Sequence, residues 1–158
     1  MNQEQKLVLA TLVREQRWAG LATVGNDGEP LAAMVAYAHA IDFSAFYIHV
    51  STLSQHTRHM IEQPKVSLII AQPDTGEGDP QTLPRVSISG EVEVIERDST
   101  PYESIKQTYL ERLPASEQLF GFGDFVLFQL HPQSLRFVGG FAQAHSATIK
   151  TLLECAEL

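Results

Sequence analysis

A chain of 158 residues, 44% hydrophobic and 19% charged, is enough for one globular domain, and such a domain buries roughly 70% of its unfolded surface without staples. The formal net charge of −8 argues against non-specific binding to nucleic acid or to anionic membrane surfaces, although a few local donors still suffice to hold one anionic group. The one cysteine, Cys155, leaves no internal disulfide and no cysteine-based zinc site and fits a reducing cytoplasm.

Residues 2–16 read as a helix, with Leu7, Leu9, Ala10, Leu12 and Val13 forming an apolar stripe and Glu4, Lys6, Arg14 and Glu15 on the wet face. The same polar segment lacks the apolar run of a signal peptide, and no apolar run is long enough to span a bilayer. A strand over 18–24 meets Gly25-Asn26-Asp27-Gly28, a tight-turn signal, and a second strand over 31–38 completes a hairpin. A third strand, 45–50, leads through Ser51-Thr52-Leu53 to Ser54, an N-cap candidate for a short helix over 55–62 that Pro64 ends. Residues 65–71 predict a buried strand, and 72–84, with three prolines and two glycines, predict a loop.

Residues 85–96 alternate as a long strand, with Gly90 marking a bulge or a close backbone approach. Thr100-Pro101 opens a helix to about Leu113, with Pro101 at its first position. A shorter helix, 115–120, follows. Two strands, 125–131 and 135–138, are expected to hinge at Pro132, and a last helix is expected over about 147–157. Short turns between strands favour an antiparallel, mostly β barrel with helical insertions, forming a single domain over 1–158.

The chain holds no dinucleotide-binding glycine motif, no phosphate-loop lysine, no nucleophile elbow and no His-Glu-x-x-His. The junction from His49 to Arg58 stands out instead. A helix N-terminus offers unpaired amides and a favourable dipole to an anion, and Ser51, Ser54, Thr57 and Arg58 add donors suited to phosphate oxygens. An ordinary capped surface helix explains the same residues. His56 and His59 share a helix face, either as two partly exposed histidines or as a metal pair lacking an assignable third ligand. His145 is a loop histidine or a haem ligand. Arg136 is a surface arginine or a donor to a ligand at a subunit interface.

Four segments in order resemble a known family: Ala19–Val24 with Gly28–Tyr37, Ser51–Met60 through Pro64–Ile69, Pro84–Val92, and Leu135–His145. They resemble the flavin-binding split barrels related to pyridoxamine 5'-phosphate oxidase, and the His-Thr-Arg and Gly-Gly-Phe pieces resemble its haem-utilisation branch. The resemblance implies a six-stranded antiparallel Greek-key split barrel. It implies a homodimer with two sites between subunits, usually holding FMN, and a small-molecule substrate. By position it places Met34, Val35 and Ala36 against the flavin ring, with His49, Val50 and Ser51 lining it from the next strand. Ser54, Gln55, His56 and Thr57 would hold the phosphate with Arg58 nearby, and Arg136 would reach in from a late strand.

The family's oxidase carries Arg and Lys where this chain has Gln55 and His56, so two full charges are missing from the phosphate site. Ala33 stands where relatives often carry Ser, and Ala142-Gln143 replaces a Gly-Arg pair. The chain ends soon after the last signature, so the resemblance predicts the barrel without the C-terminal domain of many haem-degrading relatives. Three functions follow: an FMN-dependent oxidoreductase, with no catalytic residue assignable; a haem-binding or haem-degrading protein with His145 or His56 as the iron ligand; and a non-catalytic dimeric binding module that has lost the cofactor.

Overall fold

The computed structural model describes residues 1–140 and 143–158. Helix α1 (Gln3–Glu15) opens with a capping box: the Asn2 side chain accepts from the Gln5 amide, and the Gln5 side chain accepts from the Asn2 amide, both at 2.9 Å. Its stripe of Leu9, Ala10, Leu12 and Val13 is buried. Strands β1 (Trp18–Val24) and β2 (Pro30–Ala36) form the expected hairpin, registered from Trp18 opposite Ala36 to Val24 opposite Pro30. Gly28 takes φ +80° in the turn, a conformation that favours glycine.

The second strand was expected to run to Ala38, but it breaks at Tyr37. The Tyr37 hydroxyl donates to the Val13 carbonyl of α1 at 3.0 Å, and the chain resumes as the short β3 (Ala38–His39), paired with β4 (Phe46–Ser51). Helix α2 (Gln55–Glu62) and strand β5 (Lys65–Ala71) lie where the sequence puts them. Between β5 and β6 (Arg85–Val94) the connection holds one 3₁₀ turn, Pro80–Thr82, capped by Asp79.

The long β7 (Phe125–Val138) is a correction. It runs straight through Pro132, where the sequence suggested a hinge between two strands. Pro132 pairs with Gly90 at a register shift between Ser89 and Gly90, and a bulge is a place where a strand tolerates a missing N–H. A Cβ at Gly90 would strike the His131 carbonyl oxygen, so glycine is required by the close approach of the two backbones. Helix α3 (Tyr102–Arg112) has Pro101 as its N-cap, not as its first helical residue, and a 3₁₀ segment, Pro114–Gly121, follows it. A short β8 (Ala144–Ala147) pairs with β7. Ala-His-Ser-Ala lacks the β-branched residues and large aromatics that mark a strand, so no local signal announces it. Helix α4 (Ile149–Ala156) starts at Thr148, whose side chain accepts from the Thr151 amide.

The strands form one antiparallel sheet in the order β2-β1-β5-β6-β7-β4-β3, with β8 on β7. β2 and β4 also pack together, which curls the sheet into the expected split barrel of six longer strands. Alternation sends Leu21, Val35, Ile48, Leu68, Ile88, Phe128 and Phe137 into the interior. There they meet the stripe of α1 and Leu152 and Cys155 of α4. Burying each large side chain contributes about 1.5–3 kcal/mol. A second apolar cluster lies outside the barrel, where Tyr47 and Leu127 are covered by Ile105, Tyr109 and Phe120 of the α3 region.

Candidate functional site

The outward residues of neighbouring strands line up by register. Met34 faces Gly20, Gly20 faces Ile69, Ile69 faces Ser87, Ser87 faces Arg136, and Arg136 faces Ser146. This one row carries two of the expected site residues, Met34 and Arg136, on the same face. Four strand steps separate them, about 19 Å measured along the sheet. The adjacent row is Ala32, Ala22, Ser67 and Ser89, so the face is built of small side chains. Trp18, Met34 and Ile69 stand on it with 57%, 50% and 41% of their surface exposed. A side chain at Gly20 would press on Ile69, since its Cβ would sit 2.8 Å from Ile69 Cγ2.

At the β6–β7–β8 end this face deepens into a groove of about 390 Å³, lined by Ile69, Arg85, Ser87, Arg136 and Val138 with Gln81 and Gln143 at its rim. Arg85 lies diagonally across from Arg136, because Arg85 pairs with Val138 and Ser87 with Arg136. One Arg85 nitrogen, Nη1, donates to the carbonyls of Gln81 and Leu83 at 3.0 Å each. That fixes the guanidinium at the groove wall and leaves its other N–H groups for a ligand. Among the described residues no carboxylate lines the groove, although the chain as a whole is strongly acidic. Two forked cations over a flat, partly apolar floor suit a planar molecule carrying carboxylates. The sequence reading did not single out Arg85, which looks like any strand-opening residue until the register sets it beside Arg136.

The turn after β4 is less open than its composition suggests. Ser51 Oγ donates to Asp124 Oδ2 at 2.5 Å and accepts from the Leu53 amide. Arg58 Nη1 donates back to the Leu53 carbonyl at 3.1 Å. Thr57 is fully buried, and Ser54, although in N-cap geometry, makes no side-chain capping bond. Gln55 contacts the His59 ring at 3.4 Å. His59 is buried, with Nδ1 against the Thr23 hydroxyl at 3.1 Å. His56 is half-buried, and burial, followed by the neighbouring His59, lowers its pKa. An anion here therefore meets Gln55, His56 and the unused N–H groups of Arg58, with a carboxylate, Asp124, already bonded to Ser51.

Strand alternation also divides the residues expected to line a ring. Val35 points into the core and Ala36 packs on the second cluster, so of the three consecutive residues only Met34 opens onto the face. Val50 packs partly against the core. His49, expected to line the ring, is 5% exposed, and its ring stacks on Phe120 with centroids 3.7 Å apart and planes 6° from parallel. The edge of Tyr109 lies 5.9 Å away. Burial, with Arg97 and Lys106 adding to it, pushes the His49 pKa down to about 4. The α3 region thus covers the His49 side chain with the chain's own aromatic residues. His145 pairs with Phe137, whose side chain is in the core. Its Nε2 lies 3.0 Å from Gln5 Nε2 on α1, so it points to the opposite side of the sheet from Arg136 and Ser146. Phe141 and Ala142 of the last signature lie outside the described residues.

The model of the pyridoxamine 5'-phosphate oxidase family matches residues 7–139. The chain belongs to that family. Among its relatives, the heme oxygenase HutZ of Vibrio cholerae is 26% identical over 147 residues, which is 92% of this chain and 82% of the relative. A chloroplastic heme oxygenase, HOZ, of Arabidopsis thaliana is 32% identical over 119 residues, 75% of this chain but only 34% of the relative. Among solved structures, a heme binding protein from Mycobacterium smegmatis superposes with a TM-score of 0.85 at 25% identity, over 98% of this chain and 62% of that one. The family barrel is the one built above, and its haem-utilisation branch is where these relatives lie. No described helix is long and apolar enough to cross a membrane.

Proposed function

We propose that this member of the family binds haem on the open sheet face, with the haem carboxylates at Arg85 and Arg136. The observation that carries the reading is the pairing of these two guanidiniums, with no acid beside them, at the end of a flat face of small and apolar residues. The names of the relatives support the same ligand, and two of them are heme oxygenases, so haem breakdown is the chemistry proposed for this chain. Bound haem would supply the redox chemistry through its iron. The protein's part is to hold the carboxylates, lay the ring on Ile69 and the neighbouring small residues, and exclude water from one ring face.

The FMN reading rests on the turn before α2 and has less behind it. Ser51 is bonded to Asp124 and Thr57 is buried, so Arg58, whose Nη1 already donates to its own turn, would stand as the one full charge there, with the neutral Gln55 and the partly charged His56. The flat face is proposed to meet a second copy of the chain, which would close the groove from above and bury Trp18, Met34 and Ile69.

Titration with hemin should give a saturable Soret shift. Each charge-assisted hydrogen bond contributes about 1.5–3 kcal/mol, so Arg136→Ala should weaken binding about 10- to 100-fold. Adding ascorbate to the complex should then bleach the Soret band if the chain degrades haem. A stoichiometric FMN uptake with no hemin shift would reverse the order of the two readings. Silence with both ligands would leave the binding module without cofactor.

A further inference from the structure

We infer that the groove grips a tetrapyrrole by its carboxylates and ring face and not by its metal, an inference that rests on the haem reading above. The support is where the six histidines of this chain lie. His39 is bonded through Nδ1 to the Ala40 carbonyl at 2.9 Å and packed edge-on against Phe43. His49 is sealed under Phe120, and His59 is buried against Thr23. His145 is on the reverse side of the sheet beside Gln5. His56 is on α2, away from the groove lining. His131 lies on β7 five residues from Arg136, about 16 Å along the strand, and its Nε2 is 2.8 Å from Glu93 Oε1.

Met34 is the one thioether on this face: it lies four strands from Arg136 and outside the groove, but its Sδ is 3.9 Å from where a Cβ on Gly20 would sit, next to Ile69, so it is tested beside the histidines. The cysteine, Cys155, is buried against α1. None of these side chains lines the groove. What the groove offers among the described residues is two guanidiniums, the hydroxyl of Ser87, the amides of Gln81 and Gln143, and the apolar surface of Ile69 and Val138. Those groups read a dianion with a flat apolar body, and they read it equally well with or without iron. The ligand class is therefore a planar tetrapyrrole dicarboxylate. Its carboxylates survive ring opening, so an open-chain tetrapyrrole belongs to the same class.

The test compares hemin with metal-free protoporphyrin IX on the full chain, by Soret shift and by quenching of protein fluorescence. The expected result is dissociation constants within about threefold of one another, both weakened at least tenfold in Arg85→Ala/Arg136→Ala. The triple variant His56→Ala/His131→Ala/His145→Ala and, separately, Met34→Leu should bind both ligands as the parent does. The triple variant removes the three more accessible histidines from every copy in an oligomer at once. Hemin binding more than tenfold tighter than the metal-free ring, with that advantage lost in the triple variant or in Met34→Leu, would overturn the inference and leave the haem reading standing. Failure of both ligands to bind would overturn the two together.

Discussion

The surroundings of His49 oppose its polar ring. Its ring lies in an aromatic sandwich and neither ring nitrogen has a hydrogen-bond partner among the described residues. A buried polar group without a partner destabilises, whereas an apolar group of the same shape does not. The sign of the pH effect follows from the lowered pKa. The unfolded chain takes up this proton at about 6.5 and the folded chain only at about 4. Stability is therefore complete above pH 6.5, falls as pH drops from 6.5 to about 4, and levels off below that. Burial lowers the pKa of His39 in the same direction, so it contributes a parallel slope. His49→Phe should keep the stack on Phe120, raise the urea midpoint at pH 5 more than at pH 7, and shallow the acid slope without removing it. An unchanged midpoint at pH 5 would mean that the ring is better solvated than its surroundings imply.

Elements that are locally self-consistent were legible in the sequence, and those set by tertiary contacts were not. The β1–β2 hairpin, α2 and β5 carry their own signals: a turn glycine, a terminating proline, a run of aliphatic residues. β7 was misread because Pro132 looks like a breaker, and only the bulge opposite it shows why the strand continues. The bulge itself was foreseen from Gly90. Gly90→Ala would force the two strands apart at the His131 carbonyl, and overpacking of this kind costs about 1–3 kcal/mol. A fall of several degrees in melting temperature is expected, and a melting curve matching the parent would show that the strands can yield there. The cover over β4 was not legible, because alternation says that His49 leaves the barrel interior but not what lies outside. Phe120→Ala should lose about 3–5 kcal/mol and expose His49, which would be read as faster modification of His49 by diethyl pyrocarbonate.

At the scale of the whole molecule the outer sheet face is the feature that calls for a partner. Trp18, Met34 and Ile69 are exposed on it among small neighbours, Gly20, Ala22, Ala32, Ser67 and Ser87. A dimer closed over it should bury more than about 1,000 Å². Ala22→Glu would place a charge in the middle of that surface. Light scattering at micromolar concentration should show a dimer for the parent and a monomer for the variant. A parent that scatters as a monomer would contradict the proposed closure. The family could be seen in the order of four segments, but the site only in part. Arg136 and Met34 were chosen by position and share a row. Arg85 could not be found without strand register, and His145 looked available until β8 turned it toward α1.

A crystal structure of the chain with hemin bound tests the proposed site most directly. The haem carboxylates should lie about 2.7–2.9 Å from nitrogens of Arg85 and Arg136, with the ring over Ile69. Carboxylates found instead at the turn before α2, beside Gln55 and His56, would contradict it.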